Sequence, residues 1–241
     1  MSKVRIGTAG WSIARDFAAR FPAVGSGLER YAAVFNAVEI NSSFHRPHRI
    51  STWKRWRDSV PDDFRFSVKI PRRITHELRL AECDEALDTF VSEAGTLGAK
   101  LAVLLVQLPP SLAFDEKVAA RFFSRLAASS QAAIACEPRH ASWFSDEADA
   151  LLVRHRVARV AADPVKHDRA EVPGGWRGLS YWRLHGSPVI YRSSYEDRIE
   201  DYAAALRSEA AVGAETWCVF DNTASSAATR DALALVDALG A

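Results

Sequence analysis

The chain has 241 residues, 48% hydrophobic and 25% charged, with a formal net charge of +1. That length supports a sizeable core, and the near-neutral balance gives no chain-wide attraction to a polyanion, so nucleic acid is not the first expectation. Cys83, Cys136 and Cys218 are an odd set without paired spacing, two of them inside the apolar runs AIAC and WCVF, which excludes a disulfide scaffold and reads as free thiols in a reducing compartment. No window is long and apolar enough to span a bilayer, and MSKVRIGTAGW runs from a basic start straight into a strand-like segment without a signal region. The expectation is a cytoplasmic protein with no membrane partner.

Short apolar runs alternate along the chain with segments of helical period. VRIGTAG (4–10) reads as a first strand and is followed by Leu28, Tyr31, Ala32 and Phe35 on one helical face. AVEIN (37–41) comes next, then Trp53 and Trp56 at helical spacing, RFSVKI (65–70), and the face formed by Leu87, Phe90, Val91, Ala94 and Leu97. LAVLLVQL (101–108) is continuously apolar, as a parallel strand covered on both faces would be. Val118, Phe122 and Leu126 lead to AAIAC (132–136), and the acidic first turn SDEADA leads Leu151 and Leu152 to ARVAA (158–162). VKHDRAEVPGGWRG (165–178) carries Pro and Gly where a sixth helix is due, and a loop is expected there. LSYWRLH (179–185) precedes a helix that ends by Gly213, and TWCVF (216–220) precedes one that ends at Gly240.

Eight such strands separated by helices in about 240 residues predict an α/β fold of the TIM type. The expected form is a (β/α)8 parallel barrel, with residues 1–241 as a single barrel domain and the sixth helix replaced by a loop. An open doubly wound sheet is the weaker alternative, because GTAGWS lacks the G-x-G-x-x-G spacing.

In such a barrel the carboxyl ends of the strands and the loops after them share one face. The predicted tips carry Trp11, Glu39, Asn41, Lys69, Gln107, Glu137, Arg139, Asp163, Arg183, His185, Asp221 and Asn222, with Trp143 just beyond the fifth. For any one of them an internal ion pair is the competing explanation, but together they predict a polar mouth.

The segments GTAGWS, FNAVEINSSFHRP, FRFSVKIPRRITH, LLVQLPPS, EPRHASW, YWRLHG and VFDNTASSAATRDAL resemble, in order and over nearly the whole chain, the motifs of the YecE-like family, domain of unknown function 72. The resemblance implies a TIM-barrel fold and no established activity. Three positions depart from the family pattern: His45 stands where Tyr is usual, Pro138 where an aromatic is usual, and Asp221 opens a DN pair where two Asn are frequent.

The residues themselves point to acid/base chemistry on a small anionic molecule, with a phosphate-bearing sugar or nucleotide as the expected substrate. Glu39, Glu137 and Asp221 sit at apolar tips, where burial raises and a neighbouring Arg lowers a carboxyl pKa, so an acid and a base can be separated; His185 is the fourth catalytic candidate. Lys69, Arg139 and Arg183 are the anion-binding candidates, with Trp11, Asn41, Gln107, Trp143 and Asn222 to orient or stack on the substrate. Glu39, Glu137, His185 and Asp221 are also ligand types for Mg²⁺, Mn²⁺ or Zn²⁺. No local metal-binding spacing supports that role and the nearby arginines oppose it, so no metal is assigned. An enzyme of hydrolase, lyase or isomerase type is the leading expectation. A non-catalytic nucleotide or single-stranded nucleic-acid binder and a metal-dependent phosphodiester hydrolase are the alternatives. Oligomeric state is not legible in the sequence.

Overall fold

The computed structural model describes residues 4–240; residues 1–3, the basic start of the amino-terminal segment, and residue 241 lie outside them. Strands form on the apolar runs: β1 (Arg5–Thr8), β2 (Ala37–Ile40), β3 (Arg65–Lys69), β4 (Leu101–Gln107), β5 (Ala133–Glu137), β6 (Val157–Arg159), β7 (Ala161–Asp163), β8 (Gly174–Gly175), β9 (Leu179–Leu184) and β10 (Glu215–Phe220). They build two parallel sheets, ordered β1-β10-β9-β7 and β2-β3-β4-β5-β6-β8, with the two-residue β8 antiparallel at its edge. The predicted run 158–162 is thus two strands. Val160 interrupts it, its N–H still donating to Cys136 O at 2.8 Å, and passes the chain from the second sheet to the first.

At the other edges the sheets also meet. The Gly10 N–H donates to Glu39 O at 2.8 Å, and Ala9 bridges Glu39 in parallel. Gly7 makes this approach sterically feasible, since a Cβ there would stand 2.1 Å from Ala37 O.

Around the sheets lie α1 (Gly27–Ala32), the single turn α2 (Ser42–His45), α3 (Ile50–Asp58), α4 (Asp84–Ala94), α5 (Glu116–Ser129), α6 (Asp146–Arg154), α7 (Ile199–Ala211) and α8 (Ala227–Leu239). Their starts are written locally. Ser26 and Glu29 form a reciprocal capping box on α1, and Asp115 and Ser145 accept from the first-turn N–H groups of α5 and α6, each cap contributing about 1 kcal/mol. Between β7 and β9 the chain makes a 3-10 turn, Asp168–Glu171, and β8 rather than an α-helix, as its Pro and Gly content leads one to expect.

The buried apolar side chains fall into two groups. The larger lies between strands and helices and includes Phe66, Leu104, Phe122, Leu151, Leu206 and Leu233. The smaller, Ala37, Val103, Leu105, Ala135, Ala158, Val160, Leu179, Tyr181, Trp217 and Val219, is drawn from strands of both sheets and from Val160 between β6 and β7. Alternation along a strand then decides what stands above this second core. Two residues beyond Ala37 is Glu39, beyond Leu105 is Gln107, beyond Ala135 is Glu137, beyond Tyr181 is Arg183, and beyond Val219 is Asp221. The apolar floor and the polar layer are successive steps of the same strands.

Candidate active site

Arg183, with no exposed surface, is the centre of the polar layer. Its Nε and Nη2 donate to the two oxygens of Glu39 at 3.0 and 2.7 Å. Its Nη1 donates to Glu137 Oε2 and, at 3.3 Å, to Gln107 Oε1, and Nη2 reaches Asp221 Oδ2 at 3.0 Å. Below it, the Tyr181 hydroxyl lies 2.9 Å from Glu39 Oε2, to which it donates, and 2.8 Å from Ser67 Oγ. Burial and the Glu39 charge raise the Tyr181 pKa well above the usual phenol value. A guanidinium removed from water is tolerable only when its donors are met by carboxylates in good geometry, and that condition holds here.

The outer half is less complete. Glu137 Oε1 accepts from Arg139 Nε at 3.0 Å and lies 3.3 Å from His185 Nε2. Burial alone would favour a protonated Glu137, but Arg183, His185 and Arg139 outweigh it and hold the carboxyl well below the usual range. Asp221 is likewise lowered, burial being overcome by Arg183 and by His185, whose Nδ1 is 3.0 Å from Asp221 Oδ2. Burial opposes charge on His185, yet Glu137 and Asp221 together raise its pKa. Its Nε2, near Glu137 but poorly aligned with it, is buried without a hydrogen bond.

Lys69 is buried too, at 8% exposure. Its Nζ sits 4.3 Å from the centroid of the Phe44 ring and makes no hydrogen bond or ion pair with any described residue. Burial and then the repulsion of Arg183 pull its pKa down to about 8, against the attraction of Glu39, Glu137 and Asp221. With Lys69, Arg139 and Arg183 facing three carboxylates, a protonated His185 leaves the layer with surplus positive charge, which suits an anionic ligand.

The structure therefore brings together Glu39, Lys69, Gln107, Glu137, Arg139, Arg183, His185 and Asp221. It gives three other sequence candidates partners outside this cluster. Trp143, a candidate to stack on the substrate, is core instead, 1% exposed, packed on Phe114 and Phe123 with its indole N–H on Leu112 O at 3.0 Å. Its ring fills the shell beneath the loop because that is where an acceptor for the N–H lies. Trp11 packs edge-on against Trp56 of α3, centroids 5.2 Å apart. Asn222 donates to Ser193 O and to Asp231 of α8, at 2.9 and 2.7 Å, fastening loops. Asn41, two residues beyond Glu39, has a buried Oδ1 without a hydrogen bond. Asp163, another tip carboxylate, is taken up by Tyr195, Tyr202 and Arg198.

Tyr181 and Ser67, which are not among the sequence candidates, also belong to the network. Both stand two positions before a predicted site residue, Arg183 and Lys69, so strand alternation was the signal that identifies them. Tyr191, exposed and at φ +66°, covers His185 edge-on at 6.0 Å. No group of three or more His, Cys, Asp or Glu side chains among the described residues is arranged to hold a metal; Arg183 stands where the carboxylates converge.

Over Glu137 and His185 the free space is only about 40 Å³, room for a water or two. A groove of about 530 Å³ runs beside the cluster, lined by Phe44, Arg46, Trp53, Arg72, Arg73 and Glu85 among others. The Phe44 ring faces the Lys69 ammonium and also lines this groove.

Comparison with known proteins adds a family and a fold. The model of a family described as "Protein of unknown function DUF72" matches residues 5–241. UPF0759 protein YecE of Escherichia coli (strain K12) is 35% identical over 82 residues, spanning 34% of this chain and only 30% of that protein. Among solved structures, a DUF72 family protein of Enterococcus faecalis superposes with a TM-score of 0.82 at 19% identity, covering 99% of this chain and 96% of the other. One from Thermotoga maritima gives 0.77 at 24% identity, with 99% of both covered. More distantly, a xylose isomerase-like TIM barrel/4-hydroxyphenylpyruvate dioxygenase fusion protein aligns over 96% of this chain and 41% of its own, at 14% identity and a TM-score of 0.54, a likeness of fold alone. No helix among the described residues is long and apolar enough to cross a membrane.

Proposed function

The chain belongs to DUF72, a family of proteins of unknown function, and on that premise we propose that it is an enzyme acting by acid/base chemistry on a small anionic, phosphate-bearing molecule. In this reading the two sheets are one (β/α)8 barrel and a single domain, joined at the Gly10–Glu39 contact on one side and through Val160 on the other, and the site is its carboxyl-end mouth. The apolar group drawn from strands of both sheets supports that closure, and the three buried free thiols support a cytoplasmic setting.

The observation that carries the reading is His185. It is held between two ionised carboxylates from different strands, with a raised pKa and an Nε2 without a hydrogen bond, in a layer whose three other cations and three carboxylates balance, so that its own proton is the surplus charge. A histidine so placed can give and take a proton near neutral pH. Arg139, the more exposed of the two arginines on Glu137, binds the anion, while Glu39 and Arg183 hold the layer in shape.

Thermal unfolding with orthophosphate, sugar phosphates and nucleotides tests this. A ligand at a hundred times its Kd raises stability by about 2.7 kcal/mol, and Arg139→Ala is expected to weaken that ligand about 10-fold or more with little change in the unliganded Tm. If wild type and Arg139→Ala respond alike to every anion, Arg139 is not the anion site; binding that extends over several nucleotides and falls steeply with salt would instead mark a nucleic-acid binder.

A further inference from the structure

We propose that Lys69 is the amine nucleophile of this site, condensing with the carbonyl carbon of a small aldehyde or ketone that carries an anionic group. The inference rests on the anion-binding reading above and specifies its substrate class.

Every other basic group of the layer has a carboxylate at contact distance: Arg183 has three, Arg139 has Glu137, and His185 has Glu137 and Asp221. Lys69 has only an aromatic face. It stands two residues past Ser67 on the same face of β3, at the level of Leu105 on β4, and so opens into the polar layer rather than the helical shell. A lysine needed merely to balance charge would be drawn into an ion pair. One kept buried and unpaired carries the desolvation cost of an ammonium, which a folded protein lowers by shedding the proton. The free amine is the reactive form, and burial of this kind is how a lysine is activated for imine formation.

Phe44, whose ring faces the Lys69 Nζ at 4.3 Å, and Ser43, whose hydroxyl donates to Lys69 O at 2.7 Å, both line the groove beside the cluster. The groove's walls carry both signs of charge, Arg46, Arg72 and Arg73 against Glu77, Glu85 and Glu93, with Arg72 3.8 Å from Glu77. The anionic end of the substrate therefore falls to Arg139, as in the reading above, and its carbonyl end to Lys69.

The step balances without an oxidant. The Nζ lone pair forms the N–C bond while the carbonyl π pair moves to oxygen. The carbinolamine then loses that oxygen as water, which carries away both amine protons, and a C=N bond remains. His185 is the proton carrier at hand for both halves. A protonated imine withdraws electrons from the adjacent carbon, the requirement of a lyase or isomerase step on a carbonyl substrate.

The experiment is reductive trapping on the full chain, with dihydroxyacetone phosphate and, separately, pyruvate, each with sodium cyanoborohydride, read by peptide mass mapping. With its pKa near 8, Lys69 at pH 7 holds on the order of 100-fold more free amine than an exposed lysine. It is therefore expected to be labelled about 10-fold or more faster than the exposed Lys54 and Lys117, with Lys69→Arg losing that adduct while still stabilised by orthophosphate. The two probes distinguish a phosphate from a carboxylate anchor, and a Lys69 adduct with either supports the proposal. Labelling of Lys54 and Lys117 with none on Lys69 overturns it, even if phosphate still raises the Tm, in which case the broader anion reading stands. No Lys69 adduct and no stabilisation by any anion removes both.

Discussion

The inner and outer halves of the polar layer use the same residue types and treat them differently. In the inner half, Arg183, Glu39, Tyr181 and Ser67 are fully buried and each is bonded to the next. In the outer half, Lys69 lacks an ion pair, His185 Nε2 lacks a hydrogen bond, and Arg139 and Asp221 keep some exposure. A completed network has no bond left to offer a substrate, and its loss shows as instability. An incomplete one stores unmet donors and displaced protons, and its loss shows in binding and chemistry. Charge and position at a strand tip do not separate the two cases; the state of the hydrogen bonds does.

Three changes test that division. The largest effect is expected for Arg183→Met, which strands Glu39 and Glu137 in the interior and should destabilise the protein by about 3–5 kcal/mol in urea unfolding. Arg139→Met, which leaves Glu137 its bond to Arg183, should cost about 1 kcal/mol or less. Equal losses from the two would erase the distinction. Next, Lys69→Met exchanges an unpaired ammonium for an apolar chain of similar length and should stabilise the protein at pH 7 by at most about 3.5 kcal/mol, since a pKa lowered from 10.5 to about 8 measures what the charged form costs at about 1.4 kcal/mol per pH unit. A fall in urea midpoint would show that Lys69 is paired after all.

The smallest effect is a pH dependence. The His185 pKa is raised on folding, so its contribution is complete below the unfolded value of about 6.5 and is lost as pH rises through the folded one. Unfolding free energy should decline over that window by no more than about 1.4 kcal/mol per pH unit, and His185→Gln should remove the slope. At the acid end the signs reverse: Glu137 and Asp221 are lowered on folding, so what they contribute is present above about pH 4 to 4.5 and fades as pH falls through their folded values.

What the sequence made legible was the alternation of apolar runs with helical faces, and with it the parallel sheets and the tips of their strands. Glu39 in AVEI and Arg183 in YWRL announce themselves because a charge closes an apolar strand. Trp143 shows where that reasoning stops. In HASWF an aromatic next to a strand end looks the same whether it faces the mouth or the helical shell, and only the position of Leu112 O, 31 residues away in the chain, decides. The break at Val160 was hidden for a similar reason, because ARVAA satisfies one strand as well as two and the change of sheet depends on the partner. The solitude of Lys69 is likewise a fact about its neighbours, and no local pattern encodes the absence of an ion pair.

Glu39 is fastened twice across one boundary. Its backbone carbonyl takes the N–H of Gly10, and its side chain takes the fork of Arg183; both partners belong to the four-stranded sheet or its immediate extension, while Glu39 lies on the six-stranded one. One residue is therefore a rivet driven through main chain and side chain together, and replacing its carboxylate should register in the deuterium uptake of the Gly10 amide, turning a solvent-exchange rate at the seam into a gauge of the contacts at the mouth.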